Sequence, residues 1–176
     1  YTTDENGKRT TTDSYNKADR VYCGSAAPKF TGGWMNSFSY KGFTLTANFD
    51  FVYGNLLYNQ SRELLDSDGA YADYNSMKLK SGWKRWEKEG DIATHPKAIN
   101  GGNKNSNKSS SRYLEKGNYF SLRNLSLGYS IPEKLCGKLG LQQVNVSCSA
   151  DNLFTLTPFS GVSPQLSDSS TDGYAG

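Results

Sequence analysis

The chain has 176 residues, with 20 Lys and Arg against 17 Asp and Glu, which gives a formal net charge of +3 at pH 7. A charge this small and this evenly spread argues against a nucleic-acid-binding protein, which carries a concentrated basic face. Hydrophobic residues make up 35% of the chain and aromatic residues 13%. This composition disfavours a helical bundle and suits β-strands with one apolar face, and no apolar run is long enough for a transmembrane helix.

The first 27 residues are polar, and the first strand signal follows them in residues 28–55. Within this segment Trp34, Asn36, Phe38 and Tyr40 alternate with small or polar residues. After Lys41-Gly42, a two-residue turn signal, an apolar set alternates with a polar set over eleven residues. A period of two places these sets on opposite faces of a strand, so residues 28–55 are predicted to form a β-hairpin.

A long polar segment, residues 56–117, follows the hairpin. Residues 61–67 suggest a short helix, and Met77, Leu79, Trp83 and Trp86 suggest the apolar stripe of a second one. Residues 100–111 are a low-complexity run of Asn, Gly, Lys and Ser that we expect not to order itself. A connection this long is unusual in a compact domain, so it either carries function or belongs to a fold in which long loops are normal.

A second hairpin is predicted over residues 118–157. Leu125, Leu127, Tyr129 and Ile131 alternate with polar residues, and Pro132 ends this strand because proline cannot donate to a β-ladder. Residues 133–140 are interpreted as a short basic turn, after which a fourth alternating strand begins at Leu141. Residues 158–176 are again predicted to be loop.

The polar strand faces are rich in Thr, Asn and Ser and carry little charge, whereas the outer face of a soluble sandwich usually carries Lys and Glu. A transmembrane barrel strand needs about 9–11 residues that are apolar toward lipid and polar toward the lumen, with aromatic residues at the interfaces. Short turns alternating with long loops also fit a barrel. The pattern therefore predicts an all-β fold of antiparallel transmembrane β-barrel strands with long extracellular loops. The alternative is a soluble β-sandwich that acts as a carbohydrate-binding or adhesin module.

Several collinear motifs give the chain a resemblance to a known family. They are Pro-Lys-Phe at 28–30, Gly-Gly at 32–33, Tyr-Lys-Gly-Phe at 40–43, Arg-Trp at 85–86, Gly-Asp at 90–91, the run at 110–135, and Asn-Leu-Phe at 152–154. The order resembles the C-terminal barrel region of the SusC/RagA family of TonB-dependent outer-membrane transporters of Bacteroidota.

The resemblance implies a multi-pass barrel of about 22 strands in the cell outer membrane. It implies import of oligosaccharides or oligopeptides, with a SusD-like lipoprotein lid and with energy from TonB-ExbB-ExbD through the plug. The plug domain and the last strand are expected to lie outside this chain. Residues 1–27, 56–117 and 158–176 would be extracellular loops, with outer-membrane lipid around the strands and no nucleic-acid partner.

No catalytic constellation is visible, so an enzyme and a cofactor are not expected. The sequence has a single histidine, His95, which argues against a Ser-His-Asp or Cys-His catalytic site. The three cysteines are too widely spaced for a zinc site, and we interpret them as isolated thiols, small fillers or exposed groups: Cys23, Cys136 and Cys148. The loop acids Asp66, Asp68 and Asp73 are interpreted as solvated.

Substrate contacts, if any, would come from loop aromatics or from polar lumen residues. The candidates are Tyr71, Tyr74, Trp83, Trp86, Asn48 and Asp50. The two tryptophans could equally anchor a small core within the loop, and Asn48 and Asp50 could simply hydrate the wall or contact the plug.

Two further expectations concern charged groups. The segment that resembles the family's Asp-x-Asn-Gly-Asp-Gly stretch carries Lys8 where an acid is expected, so Asp4, Asn6 and Asp13 are only weak metal candidates and no metal is predicted. Arg123 shares the parity of Leu125, so it would face lipid. Because such a charge is costly at mid-depth, Arg123 is predicted to lie at the extracellular rim.

Overall fold

The computed structural model describes residues 1–71, 73, 78–138 and 140–165. The strands are, in chain order, β1 (Thr2–Thr3), β2 (Arg9–Thr10), β3 (Phe30–Tyr40), β4 (Phe43–Tyr53), β5 (Leu56–Tyr58), β6 (Leu114–Lys116), β7 (Tyr119–Ser130) and β8 (Asn145–Leu156). The α-helices are α1 (Gln60–Leu65) and α2 (Glu133–Lys138), and short 3-10 turns occur at Tyr15–Lys17 and Ser111–Tyr113. Among these residues no helix is long and apolar enough to cross a membrane.

The main element is a four-stranded antiparallel sheet in the order β3-β4-β7-β8. The β3–β4 hairpin pairs Tyr40 with Phe43 across a two-residue turn, in which Lys41 and Gly42 both have positive φ, 47° and 88°. Two successive positive φ values are what a type I′ turn requires, and this turn suits the right-handed twist of paired strands. The β3–β4 pair lies within residues 28–55, where a hairpin was predicted, and the all-β fold is confirmed.

One face of the sheet is apolar and uncovered in the described part of the chain. Phe43 is 51% exposed and Leu45 is 38% exposed. Aromatic rings from neighbouring strands contact one another on this face, with Phe43 and Tyr129 centroids 4.4 Å apart and Phe49 and Phe120 centroids 5.4 Å apart. A sandwich would enclose these side chains between two layers, so the single layer contradicts the β-sandwich alternative.

A β-bulge interrupts the pairing of β4 with β7. Asn48 and Phe49 are adjacent in β4, yet they pair with Asn124 and Leu122, so Arg123 is an extra residue in β7. The pairing with β8 is irregular at the same level, because Leu122 pairs with Phe154 and Asn124 pairs with Asp151. One residue of β7, Arg123, therefore lies opposite two residues of β8. Bulges of this kind re-aim a side chain and increase local twist.

The bulge overturns the expectation for Arg123. Its guanidinium donates from Nε to Asp50 Oδ1 at 2.8 Å, and Asp50 belongs to the polar set of β4. A period of two predicts that Arg123 and Leu125 share a face, but the extra residue reverses the parity. Arg123 therefore shares the polar face, and the cost of a lipid-facing charge does not arise.

The link between β7 and β8 also differs from expectation. Residues 133–138 form helix α2 rather than a simple turn, and β8 begins at Asn145 instead of Leu141. Pro132 precedes the helix and accepts from the N–H of Leu135 and of Cys136, a position where its missing N–H costs nothing. Cys136 is the buried residue of this helix, whereas Cys23 and Cys148 are exposed thiols.

Beyond the sheet, the long segment folds into a layer of its own. β5 follows β4 and β6 precedes β7, and these two short strands pair with each other. Next to this pair, the backbone N–H of Asn59 donates to the carbonyl of Tyr113 at 2.9 Å. The helix expected near residues 61–67 is confirmed as α1. The second expected helix is wrong for residues 78–86, which form turns and an isolated bridge between Arg85 and His95, and Met77 lies outside the described residues.

The low-complexity run is ordered by its neighbours, contrary to expectation. Asn107 within it is buried, and the Ser106 hydroxyl donates to Asp68 Oδ2 at 3.0 Å. A run that cannot bury enough surface by itself is here folded onto another part of the loop. Its ordering is therefore a consequence of tertiary contacts.

Candidate functional site

The long loop is built around a set of buried and partly buried ionisable side chains, which we call the loop cluster. Its members are Arg62, Asp66, Asp68, Arg85, His95, Arg112 and Glu115. The three guanidinium groups balance the three carboxylates, so the cluster is electrically neutral when the histidine is uncharged. Buried charges persist only when they are paired and hydrogen-bonded, and this balance meets that condition.

Helix α1 supplies the first pair of the cluster. Asn59 caps the helix by accepting the N–H of Arg62, as its residue type favours. Arg62 and Asp66 are four residues apart, which places them on one helix face, and Nη2 of Arg62 lies 2.9 Å from Oδ2 of Asp66. Nη1 of the same guanidinium contacts Glu115 at 2.9 Å, so Arg62 ties α1 to β6.

Asp68 is the most heavily bonded acid of the cluster and is fully buried, at 0% exposure. Arg85 donates to it at 2.7 Å, and Arg112 donates to both carboxylate oxygens. Burial by itself would raise the pKa of Asp68, but the hydrogen bonds from Arg112 and Arg85 outweigh it and lower the pKa below its usual value. Asp68 is therefore ionised over the whole neutral range.

His95 completes the cluster from the segment after Trp86. Its Nε2 lies 3.2 Å from Asp66 Oδ2, and Nδ1 lies 2.8 Å from the Thr94 hydroxyl. Burial lowers the pKa of His95, and this effect outweighs the attraction of Asp66. The ring is thus neutral at pH 7, and the geometry fits the tautomer whose Nε2–H donates to Asp66.

The cluster also joins the long loop to the segment after β8. Glu115 accepts the Ser160 N–H and the Ser160 hydroxyl, each at 2.6 Å. Asn59 Nδ2 donates to the same hydroxyl at 3.0 Å. Two loops that are far apart in sequence are therefore held at one carboxylate.

Comparisons with known proteins identify the family. No family model matches the chain. It is 33% identical over 151 residues to TonB-dependent receptor P3 of Formosa agariphila and 31% identical over 151 residues to TonB-dependent receptor P39 of the same organism, each match covering 84% of this chain. The RagAB peptide importer in its closed-closed state aligns with a TM-score of 0.71 and 27% identity over 92% of this chain, and in its open-open state with a TM-score of 0.72 and 25% identity over 93%.

The chain belongs to the SusC/RagA family of TonB-dependent outer-membrane transporters. It spans 14% of the length of the two curated receptors and 17% of the RagAB chains. Members of this family are transporters rather than enzymes and reside in the outer membrane as β-barrels. The resemblance stated from the motifs is therefore confirmed, as are the all-β class and the outer-membrane location.

Within this SusC/RagA segment, the interpretation of the loop acids as solvated is wrong for Asp66 and Asp68. The type of basic residue is the sequence signal for this burial. The loop's arginines, Arg62, Arg85 and Arg112, pair with the cluster acids, whereas its described lysines are exposed. Arginine is preferred for buried pairs since its planar guanidinium donates in parallel to a carboxylate.

The aromatic candidates of the loop separate into different environments. Trp83 packs in the loop's own core, with the Arg62 guanidinium 4.4 Å and the His95 ring 5.0 Å from its ring centre. Trp86 is exposed, and its backbone N–H donates to the His95 carbonyl at 2.8 Å. Tyr71 is exposed beside a cavity, and Tyr74 lies outside the described residues. Their roles as substrate contacts stay predictions.

The polar candidates of the sheet lie on the face opposite the aromatic one. Asp50 accepts from Arg123 and from the Tyr119 hydroxyl, the latter at 3.0 Å. Asn48 pairs with Asn124 across the strands, and its side-chain oxygen Oδ1 has no hydrogen-bond partner among the described residues. Asp50 is thus committed to neighbours, and a substrate contact at either residue stays a prediction.

The weak metal candidates are committed to other bonds. Asp4 accepts the N–H groups of Asn6 and Lys8 within its own turn, and Asp13 forms an exposed ion pair with Lys104. In the part of the chain that the structure describes, no three His, Cys, Asp or Glu side chains group together as metal ligands would. The donor set that a hard cation requires is not assembled from these residues.

Proposed function

We propose that this chain forms part of the barrel wall and the outer loops of a transporter that imports oligomers across the outer membrane. The single observation that carries the proposal is the single-layer sheet with one uncovered aromatic and aliphatic face and one hydrogen-bonded polar face. A wall between hydrocarbon and an aqueous lumen requires this asymmetry. Closure of the barrel would come from strands beyond this segment, because four strands cannot close.

The proposed orientation follows from the lengths of the connections. Outer-membrane barrels have short periplasmic turns and longer extracellular loops. The turn at Lys41-Gly42 and the link over residues 131–144 would then be periplasmic. Residues 1–27, 56–117 and 158–176 would be extracellular, and the loop cluster would lie above the wall on the outside of the cell.

The proposed partners follow from the family. A SusD-like surface lipoprotein would cover the barrel, and TonB-ExbB-ExbD would supply energy through a plug domain. RagAB is named as a peptide importer, which supports an oligopeptide substrate, and an oligosaccharide is the other candidate class.

The test is the removal of the complete receptor from its native cell. Growth would be measured with oligopeptides and, separately, with oligosaccharides as the limiting nutrient, and the receptor would then be restored. We expect growth to fail on one oligomer class only, to persist on its monomers, and to fail equally when TonB is disrupted. Unimpaired growth on every oligomer would contradict import as the function.

The orientation and the lid are tested together by photocrosslinking. A crosslinking residue at Ile92, which is exposed in the long loop, is expected to capture a surface lipoprotein. The matched control is the same residue at exposed Leu135 in α2, which is expected to capture none. Capture of the lipoprotein from Leu135 alone would reverse the proposed orientation.

A further inference from the structure

A polar cavity of about 240 Å³ opens between two stretches of the long loop. The lining residues used below are Tyr71, Gly102, Lys104, Asn105, Asn107 and Lys108. Its volume is below the roughly 300–1,000 Å³ of a site for a whole drug-sized ligand. It therefore suits one terminal group of a larger molecule. We call it the loop cavity.

Both walls of the loop cavity are held at Asp68, one through backbone carbonyls and the other through its carboxylate. On one side, the Ile99 N–H donates to the Asp68 carbonyl, and the Gly101 N–H donates to the Gly69 carbonyl, each at 3.0 Å. On the other side, Ser106 donates to the Asp68 carboxylate, and Arg112 donates to the Ser106 carbonyl at 3.3 Å. A cavity whose walls are tied to a fully buried, arginine-bound acid is preorganised, which reduces the ordering cost of binding.

Asn107 supplies a buried polar side chain to the lining of this cavity. Its side chain lines the cavity although the residue is only 4% exposed, and its carboxamide has no hydrogen-bond partner among the residues that the structure describes. Buried polar groups are nearly always hydrogen-bonded. An amide that is buried, unpartnered and adjacent to open space is therefore suited to a ligand.

The charge of the lining selects the kind of ligand. The charged side chains that line the cavity are Lys104 and Lys108, and no described acid lines it. Lys104 is already paired with Asp13 outside the cavity. Lys108 forms no ion pair within the described part of the chain, so its ammonium group is available to a ligand.

From this geometry we propose that the loop cavity binds a carboxylate group of the oligomer that the transporter imports. Lys108 supplies the charge, Asn107 donates a hydrogen bond at depth, and Tyr71 contacts the apolar part next to the carboxylate. This inference rests on the proposed import function and extends it to acidic oligomers. The carboxylate could belong to a uronic acid or to an acidic peptide, since both present the same planar, doubly accepting group.

The experiment measures binding by calorimetry to the full-length receptor in detergent. The sugar probes are trigalacturonate and its methyl ester, and the peptide probes are a glutamate-containing pentapeptide and the same peptide with glutamine. In at least one pair we expect the acid to bind about tenfold more tightly than its neutral counterpart, as for hydrogen bonds to a charged group. The pair that shows the preference identifies the source of the carboxylate.

Variants assign that preference to the cavity. Lys108→Gln is expected to abolish the preference for the acid, and Asn107→Ala is expected to weaken binding of the acid. The matched control, Lys88→Gln, changes an exposed lysine away from the cavity and is expected to retain the preference. Equal binding of acid and neutral probes, no binding of any probe, or an unchanged preference in Lys108→Gln would each overturn the inference.

The outcome is separable from the proposed function. A receptor that supports oligomer-dependent growth but shows no preference for acids removes the inference and leaves the import function intact. A receptor that prefers the acid through Lys108, but whose removal leaves oligomer growth unchanged, removes the import function and leaves the binding site intact.

Discussion

The sheet and the loop layer of this chain bury opposite kinds of residue. In the sheet, large apolar side chains such as Phe43 are more than half exposed. In the loop, the most deeply buried residues include Asp66 and Asp68, and their partners are guanidinium groups. The difference shows that each region is completed by a different environment, because the sheet uses hydrocarbon as its second layer whereas the loop must build its interior from its own side chains.

The loop has few aliphatic residues from which to build a core. Its described interior instead contains charge pairs, the Tyr113 ring and the Trp83 ring packed on Arg62. Buried ion pairs are weak as net stabilisers but strict in geometry, because removing one partner leaves an uncompensated charge. The loop is therefore expected to tolerate surface changes and to fail when a member of the loop cluster is removed.

The largest expected effect comes from Asp68→Asn, which leaves the charges of Arg85 and Arg112 without their shared carboxylate. We expect a loss of about 3–5 kcal/mol in the local stability of the loop. Hydrogen exchange in the full-length receptor measures it, with faster exchange expected at the Ile99 and Tyr113 amides and unchanged exchange in β4. The control is Asp13→Asn, which breaks an exposed pair and should leave these amides unchanged. Equal protection in both variants would show that the cluster does not hold the loop together.

The next largest effect is expected on the apolar face of the sheet. Ala47→Arg, near the middle of β4 on the same apolar face, places a charge toward hydrocarbon and should cost about 2–4 kcal/mol, as at mid-depth in a barrel. Its neighbour in the strand provides the control, because Thr46→Arg projects to the polar face. The amount of folded receptor in the outer membrane distinguishes them, and a larger loss for Thr46→Arg would invert the assignment of the two faces.

A smaller and more local effect tests the bulge in β7. In a receptor whose exposed Cys23 and Cys148 are replaced by Ser, Arg123→Cys and Leu125→Cys are compared for labelling by a charged, membrane-impermeant thiol reagent. The bulge predicts labelling at position 123 and protection at position 125, because the extra residue reverses the parity. Similar protection at both positions would restore the regular alternation and remove the pairing with Asp50.

The smallest expected effect is the response of the loop to acid. The folded pKa of His95 is below the ordinary value of about 6.5, so below that pH the unfolded loop binds more protons than the folded one and stability falls as pH falls. The slope for one group is at most about 1.4 kcal/mol per pH unit. Asp68 acts in the same direction at lower pH, since its contribution is present above about pH 4 and is lost as the pH falls toward its lowered pKa.

Protease sensitivity of the loop between pH 8 and 4 checks this acid response. Cleavage in the long loop should increase first below about pH 6.5, while the sheet remains resistant. His95→Gln should remove this increase within the same pH range. A wild-type loop equally resistant over the whole range would contradict burial of a neutral His95 in the cluster.

Regular alternation made the strands predictable from the residues. The hairpin over residues 28–55 follows from a period of two and a two-residue turn, both of which are local properties. The same reasoning failed at Arg123, where pairing with β4 and β8 introduces a bulge that no local pattern records. Helix α1 was also visible locally, whereas the second expected helix was replaced by turns that wrap around His95.

The sequence by itself determined the strands, their apolar and polar faces and the transporter family, because side-chain alternation and collinear motifs are written along one dimension. Only the tertiary structure decided that Asp66 and Asp68 are buried, that residues 100–111 are ordered, and that Arg123 faces Asp50. Each of these depends on polar side chains that lie 17 or more positions apart in the chain and meet in space. The attraction between two charged groups depends on their separation in the folded molecule, and their spacing along the chain does not reveal that separation.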